Sequence, residues 1–501
     1  MTEVETIDQA VRRHSADRPE VPAFVDPQRL VTWAELDAAA DRCAGQLREL
    51  GVGRGDRVAW LGPNAPAYAT MVIGAWRVGA SVVGLNFRLP PSELAAITEA
   101  IGVAHAVVDA RFAAMAEHLT ARGTTVVERS EVWPPLDQPA IAEPVVWDDE
   151  DEAMIYFTSG STGHPKAVPL TRSAVEATML SADVHEFTTD SKALIIPPAF
   201  HAAGATWTNY CLHNGATVVY TDDASPAGIA RTINEHQITH AILVPTLIHS
   251  LVEELKRNPQ PLPSLHHVAY GASPITQHLL GEALEILGCD FCQVYGLSEG
   301  GGAIAFLPPE DHVGDNPAHL SSAGRPCIGV EVEVRDFSGA VLGTGESGEL
   351  WFRAPTLTRG YIGNQEATGR VLIDGWLNTR DVGFVDADGY IYVEGRSDDM
   401  IQSGAENVHP QAVEEVVITL PGVQECAVYG TPDPHWGQRV TAAIVADRDI
   451  SESEVIEWCK ARLAAYQVPK VVVVLSELPR TATGKVQRKV LAGMAEPAPA
   501  G

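Results

Sequence analysis

Between Leu36 and Leu50 apolar residues return at helical spacing, the period that lays one buried stripe along an α-helix. The chain then shortens into an apolar run at Arg57 to Leu61, which reads as a strand, followed by a helical stretch over Ala65 to Val78 and a strand over Ala80 to Leu85. A helix near Glu93 to Ala100 and a strand at Ala104 to Val108 continue the alternation. This order predicts a parallel sheet covered by helices on both faces, and the same rhythm returns between Ala193 and Val294. Two βα layers are expected. No GxGxxG follows the first strands, so a dinucleotide fold has no support there.

From Val332 to Asp388 the pattern changes to short β-rich runs (Val330 to Val334, Gly348 to Phe352, Tyr390 to Val393) separated by Gly, Asp and Asn turns. A small β subdomain is expected. Beyond Arg396 the text turns βα again but short, with helices over Pro410 to Thr419 and near Glu452 to Ala465, and strands at Glu425 to Tyr429 and Thr441 to Val445. The domain boundary falls at about Arg396 to Asp399, giving domains 1–396 and 397–501, the second a compact α+β lid whose terminal EPAPAG is frayed. There is no internal repeat or low-complexity tract.

The 501 residues carry 35 basic against 65 acidic side chains and a formal net charge of −30, with 45% hydrophobic residues. That balance describes a globular protein of more than one domain and excludes a disordered or fibrous one. It would repel a phosphate backbone, and no dense basic run with interleaved aromatics offsets it, so nucleic acid is not an expected partner. The polar, amphipathic opening lacks an apolar signal core, and no later stretch of about 18 uncharged apolar residues predicts an integral membrane segment. A cytoplasmic protein is expected.

Seven scattered cysteines fit a reducing compartment better than a disulfide framework. Cys289 and Cys292 form one CxxC, but with no second pair or nearby histidine in sequence they read as buried structural thiols.

Tyr156 to Lys166 reads YFTSGSTGHPK: a strand end, then Thr158, Ser159, Gly160, Ser161, Thr162 and Gly163, then Lys166. Glycines let several backbone N–H groups point one way, hydroxyls add donors and a lysine adds mobile positive charge, a combination suited to a polyphosphate. The spacing is not that of a Walker A loop. Taken alone, a Ser/Gly surface turn explains the run equally well.

The run does not stand alone. YGLSE (Tyr295 to Glu299), DGWLNTRD (Asp374 to Asp381), GRSDDMI (Gly395 to Ile401) and PRTATGK (Pro479 to Lys485) follow it in order. The series resembles that of the adenylate-forming superfamily: acyl-CoA synthetases, luciferases and the adenylation domains of peptide synthetases. The resemblance covers nearly the whole chain and looks closest to fatty-acid or aryl-acid CoA ligases. It implies an α/β fold with a large N-terminal domain of two βαβ layers plus a distorted β-barrel, joined to a small mobile α+β C-terminal domain.

The implied chemistry is attack of a carboxylate on the α-phosphate of ATP with loss of pyrophosphate, followed by thioester formation with CoA. Two anions must meet, so Mg²⁺, a phosphate-gripping loop and a lysine are expected. By resemblance, Thr158, Ser159, Gly160, Ser161, Thr162, Gly163 and Lys166 hold the β- and γ-phosphates, Gly296 and Ser298 also bind ATP, and Glu299, next to Ser298, is the magnesium-associated glutamate, a hard oxygen ligand. Gly271, Ala272 and Ser273, with Gln293, Val294 and Tyr295, match the adenine slot. Asp381 matches the acid that accepts the ribose hydroxyls, and Arg396 its second anchor. One departure sits here: the usual glycine before that aspartate is Arg380, which either adds a cation near the nucleotide or points to solvent.

Lys485 matches the lysine that meets the carboxylate and bridging oxygens during adenylation. Between Lys460 and Lys489 seven basic residues stand against one acid, Glu477, which in so acidic a chain reads as a face for polyanions. Asp398 matches the hinge about which the small domain swings, and Ser403, Gly404, Ala405 and Glu406 resemble the loop lining the thiol tunnel. PPAFHAAG matches the acid pocket, with Phe200, His201 and Gly204; His201 orients the acid or gates the thiol, unless it is a satisfied core histidine. Val244, Pro245, Thr246, Gly271, Gly300, Gly301, Gly302 and Ala303 complete the wall. The glycines after Glu299 are expected to leave room for a flat aryl or unbranched acyl group.

Three functions remain open at this point. The first is an AMP-forming acid:CoA ligase. The second is a stand-alone adenylating enzyme that passes an acid, including an unusual one, to a carrier protein or another nucleophile. The third is a non-catalytic nucleotide-binding protein on the same fold, against which the retained motif residues speak.

Overall fold

The computed structural model describes residues 5–129, 147–158, 165–273, 275–313, 319–404, 406–434, 436–480 and 486–494. Its contacts divide the chain into two compact units, Met1–Glu331 with Arg353–Leu377, and Val332–Phe352 with Asn378–Gly501.

The first unit is built on two sheets. One has six strands in the order Thr125–Glu128, His105–Val108, Arg57–Leu61, Ser81–Gly84, Glu152–Thr158, Lys166–Thr171. All its neighbours run parallel except the last pair, an antiparallel hairpin. The other has nine strands; at its centre Lys192–Ile195, His240–Leu243, His267–Gly271 and Asp290–Leu297 lie parallel and side by side, and Gly302–Leu307 returns antiparallel. The two βα layers expected from hydrophobic rhythm are therefore present, and the strand Arg57–Leu61 falls on the predicted residues.

Local chemistry explains the helices. Trp33–Glu49 starts at a capping box in which Thr32 and Glu35 satisfy each other's backbone N–H. Pro66–Arg77 begins with proline at its first position, where a missing N–H costs nothing, and every one of its residues is buried. Gly74 allows that burial, because a Cβ there would sit 2.8 Å from Cys43 Cβ and Sγ. The amphipathic opening becomes the helix Ile7–Asp17, which buries Ile7, Ala10, Val11 and His14.

The second unit holds a mixed sheet in which Val423–Asp433 and Gly437–Ala446 form a long antiparallel pair, flanked by Ile401–Ser403 with Glu406–Val408 and by Val471–Val474. These two strands outrun the predicted ones because cross-strand pairing carries them past the apolar runs, through Thr431, Pro432 and Asp433. The helix Glu452–Lys460 is shorter than expected, closing where Arg462 and Leu463 N–H both turn back to Cys459 O. The β-rich stretch is confirmed, with Ile391–Arg396 antiparallel to Trp376–Val385. Small-domain burial centres on Val413, Val417, Val428, Val440 and Ile444.

All seven cysteines are free thiols. Cys292 gathers with His185 and His267, ligand atoms within 4.8 Å of one another, whereas Cys289 stands outside the group. The fold thus supplies two histidines that sequence proximity did not. Their rings bond each other, His185 Nδ1 to His267 Nε2 at 3.2 Å, inside aromatic packing by Phe187, Trp207, Tyr210 and Phe306. Burial drives the Cys292 thiol well up, so it stays protonated.

Candidate active site

The hairpin Glu152–Thr158 with Lys166–Thr171 sets Thr158 directly opposite Lys166. Ser159, Gly160, Ser161, Thr162 and Gly163 lie outside the described residues, but both feet of that loop are fixed. Lys166 Nζ stands 4.9 Å from the ring centroid of Tyr361, a cation–π arrangement. The Tyr361 hydroxyl donates to Glu299 Oε1 at 2.7 Å, and Glu299 is buried. The segment carrying Tyr361 is stitched to both neighbours: Ile362 N–H donates to Ala167 O at 3.0 Å and Thr358 N–H to Glu299 O at 2.8 Å. One tyrosine thus joins the foot of the phosphate loop to the expected metal glutamate.

Tyr361 was not singled out from sequence. Its one signal is an apolar pair, Tyr361 and Ile362, framed by Gly360 and Gly363 in a polar stretch. Among the described residues Glu299 Oε2 accepts no hydrogen bond. An oxygen left over on a buried carboxylate fits Mg²⁺, which takes one or two carboxylates and completes its shell with phosphate oxygens and water.

Gly271 ends one parallel strand, with Ala272 and Ser273 just beyond it, and Gln293, Val294, Tyr295 and Gly296 lie on its neighbour, Gly271 in register with Val294. The expected adenine residues therefore come together at the carboxyl ends of adjacent strands, where open α/β sheets bind ligands. Gln293 is held by Tyr270, whose hydroxyl donates to Gln293 Oε1 at 3.2 Å. Gly271 is demanded by the sheet itself, since a Cβ there would fall 2.2 Å from Val294 O.

The same test changes the reading of the glycines after Glu299. A Cβ at Gly300 would meet Ile304 Cγ2 at 2.7 Å, at Gly301 Thr356 O at 2.9 Å, and at Gly302 Thr206 Oγ1 at 3.0 Å. Gly301 and Gly302 also have φ of +80° and +120°. These glycines form a tight turn in which an added Cβ would be crowded by packed neighbours. Gly204 likewise faces Pro197 O and Pro198 O, each at 2.5 Å from its Cβ position.

His201 is the N-cap residue of the helix Ala202–Asn214, and Phe200 is buried with its ring 4.9 Å from the imidazole. Their loop is clasped by Asn64, whose Nδ2 donates to Pro197 O at 2.9 Å and whose Oδ1 accepts from Ala199 N–H at 2.7 Å. Asn64 sits 133 residues upstream of Pro197, with no sequence mark to connect them. Thr206, on the His201 helix, donates to Gly301 O at 3.4 Å, which ties that helix to the turn after Glu299. Val244 and Pro245 begin the helix Pro245–Arg257, with Pro245 and Gly300 buried.

In the second unit Asp381 lies opposite Arg396 in the antiparallel pair, with Arg396 Nη1 3.5 Å from Asp381 Oδ1. Arg380, next in sequence to Asp381, has a partly exposed side chain. It takes a left-handed φ of +61° and sends Nη1 to Asp398 Oδ1 at 3.2 Å. Ser403 is buried, and Gly404, at φ +69°, donates its N–H to Trp436 O at 2.7 Å beneath the indole. Glu406 is exposed, and Ala405 and Lys485 lie outside the described residues.

The basic stretch near the end is less of an open cationic face than its composition implies. Lys460 pairs with Glu457 at 2.6 Å, Arg480 with Glu425 at 2.8 Å and Arg488 with Glu414 at 2.7 Å. Among the described residues no helix is long and apolar enough to cross a membrane.

Fold and motif placement together define an adenylate-forming enzyme. The chain belongs to the AMP-binding enzyme family: the family pattern matches residues 11–362, and that of the AMP-binding enzyme C-terminal domain matches residues 412–485. It is 35% identical to a feruloyl-CoA synthase of an Amycolatopsis species, over 91% of this chain and 92% of that one. It is 32% identical to the fatty acid–[acyl-carrier-protein] ligase ScoC of Streptomyces coeruleorubidus, over 98% and 96%. Among solved structures it resembles the o-succinylbenzoate CoA synthetase MenE of Bacillus subtilis in complex with its acyl-adenylate intermediate, with TM-score 0.87, 30% identity and 98% of each chain covered.

Proposed function

We propose that this chain is an AMP-forming acid:CoA ligase acting on an aryl or medium- to long-chain acyl acid. A carboxylate oxygen attacks the α-phosphorus of ATP and pyrophosphate leaves; the CoA thiol then attacks the acyl carbon and AMP leaves. The observation that carries the reading is the Lys166–Tyr361–Glu299 line, which sets a cation and a buried carboxylate at one loop foot.

Thr158 to Gly163 and Lys166 grip the β- and γ-phosphates, Gly271, Ala272 and Ser273 with Gln293, Val294 and Tyr295 take the adenine, and Gly296 and Ser298 also contact the ATP. Asp381 and Arg396 hold the ribose, and Lys485 meets the carboxylate and the bridging oxygen. Mg²⁺ at Glu299 supplies charge neutralisation for the leaving pyrophosphate. His201 and Phe200, held by the Asn64 clasp, orient the acid in a pocket with Gly204, Val244, Pro245 and the turn Gly300 to Gly302. The acid class rests on the relatives, which include an aryl-CoA synthase and a fatty-acid ligase.

Domains 1–396 and 397–501 alternate about Asp398, so that Lys485 serves the first step and Ser403 to Glu406 line the thiol path in the second. Closure keeps water from the adenylate. Free thiols throughout favour a cytoplasmic site of action.

The second reading, transfer to a carrier protein, draws on the similarity to ScoC. Product analysis with ATP, Mg²⁺ and a panel of acids separates the two: CoA accelerates AMP release and yields an acyl-CoA in the first, and only a phosphopantetheinylated protein does so in the second. AMP release that neither thiol accelerates rejects both.

A further inference from the structure

We propose that Arg380 is a positioning residue that biases the hinge: its ion pair with Asp398 favours one of the two arrangements through which the enzyme must pass. The inference rests on the proposed role of Asp398 and goes beyond it by assigning a function to the residue that departs from the family pattern.

Arg380 occupies a left-handed backbone conformation (φ +61°) that L residues rarely adopt without surrounding support. The support is visible. Its N–H donates to Asn378 Oδ1 at 2.8 Å, its carbonyl accepts from Ser397 Oγ at 3.2 Å, and its guanidinium reaches Asp398 Oδ1 at 3.2 Å. Residue 380 is thus tied at three atoms, two of the ties running to Ser397 and Asp398.

The next residue is tied the other way. Asp399 Oδ2 lies 3.4 Å from Arg488 Nη1, and Arg488 also holds Glu414 at 2.7 Å and Val428 O at 3.0 Å. Two consecutive carboxylates are therefore held by different elements, Asp398 by Arg380 of the strand Trp376–Val385 and Asp399 by Arg488 of the helix Arg488–Met494, which also holds Glu414 of the helix Pro410–Val417. A backbone rotation at residue 398 keeps the Asp399 pair, whose partners move with it, and breaks the Arg380 pair, whose partner stays behind. The Arg380–Asp398 pair then exists in one arrangement only, which is the condition for it to shift a two-state balance.

Arg380 and Asp398 side chains are 34% and 45% exposed, so the pair is a screened surface contact and its bias is modest, about two- to fivefold. That magnitude suits a hinge that must move both ways in every turnover.

The test compares two rates, acid-dependent pyrophosphate exchange for the first step and thioester formation from supplied acyl-adenylate for the second. Arg380→Met is expected to raise one and lower the other, changing their ratio by about two- to fivefold. Asp398→Asn should change it in the same direction, and Arg380→Lys should stay near the parent. Raising salt from about 0.05 to 0.5 M should move the unmodified enzyme the same way and Arg380→Met less. A merely structural role would lower both rates together; that result, or a ratio unchanged in Arg380→Met when the parent is active in both assays, overturns the Arg380 proposal alone. A parent chain inactive in both assays rejects the proposed function and the Arg380 proposal with it.

Discussion

The hydroxyl of Tyr361 donates to Glu299 Oε1 at 2.7 Å while its ring face lies 4.9 Å from Lys166 Nζ. One side chain therefore orients the carboxylate proposed to hold Mg²⁺ and shelters the cation proposed to meet the phosphates. Tyr361→Phe keeps the ring and removes only the donor to a buried charged group, an interaction worth about 1.5–3 kcal/mol. Pyrophosphate exchange should fall by about ten- to a hundredfold, with the fold's stability changed far less. Activity within about twofold of the parent would show that Glu299 needs no such orientation.

Asn64 holds the loop that carries Phe200 and His201 through Pro197 O and Ala199 N–H. Asn64→Ala leaves those backbone groups to find other partners and loosens the loop at the proposed acid pocket. The KM for the acid should rise by about three- to tenfold, in keeping with one or two lost hydrogen bonds, while the KM for ATP holds. Equal changes in both constants would place the effect elsewhere.

Much of the architecture could be read from the chain because βα layers declare themselves locally: Arg57–Leu61 and Gly348–Arg353 follow from apolar runs and their breakers. Motif order was equally legible, since each motif is contiguous. What could not be read are relations across distance. Tyr361 to Glu299 spans 62 residues and Asn64 to Ala199 spans 135, and no pattern in the sequence links the partners. The glycines after Glu299 show the same limit, since sequence assigns them to ligand space and does not reveal that Ile304, Thr356 and Thr206 stand against their Cβ positions.

Gly301→Ala separates those two explanations. With φ at +80° and Thr356 O 2.9 Å from the added Cβ, the substitution should cost about 1–3 kcal/mol of stability, measured by chemical denaturation. The rank order of acids accepted should not change. A stable variant that refuses the larger acids would restore the open-pocket reading.

Burial, reinforced by neighbouring imidazoles, lowers His240 to about 4 and His267 to about 3, with His185 well below its usual range. Each is neutral in the fold and takes up a proton on unfolding below its ordinary pKa of 6.5. The stability these groups contribute is complete above that value and is lost as pH falls toward 4 and then 3, at about 1.4 kcal/mol per pH unit for each titrating histidine. Denaturation midpoints should drop steeply over that window, and His267→Asn should flatten the drop. A profile level down to about pH 4 would contradict it.

Acid-dependent exchange of labelled pyrophosphate into ATP, measured with Mg²⁺ across aryl, medium-chain and long-chain acids, bears most directly on the claim that this chain makes an acyl-adenylate. The account predicts exchange that requires both the acid and Mg²⁺ and that Glu299→Gln and Lys485→Ala each reduce by about a hundredfold or more. Exchange that proceeds without any acid, or that survives both substitutions, would contradict it.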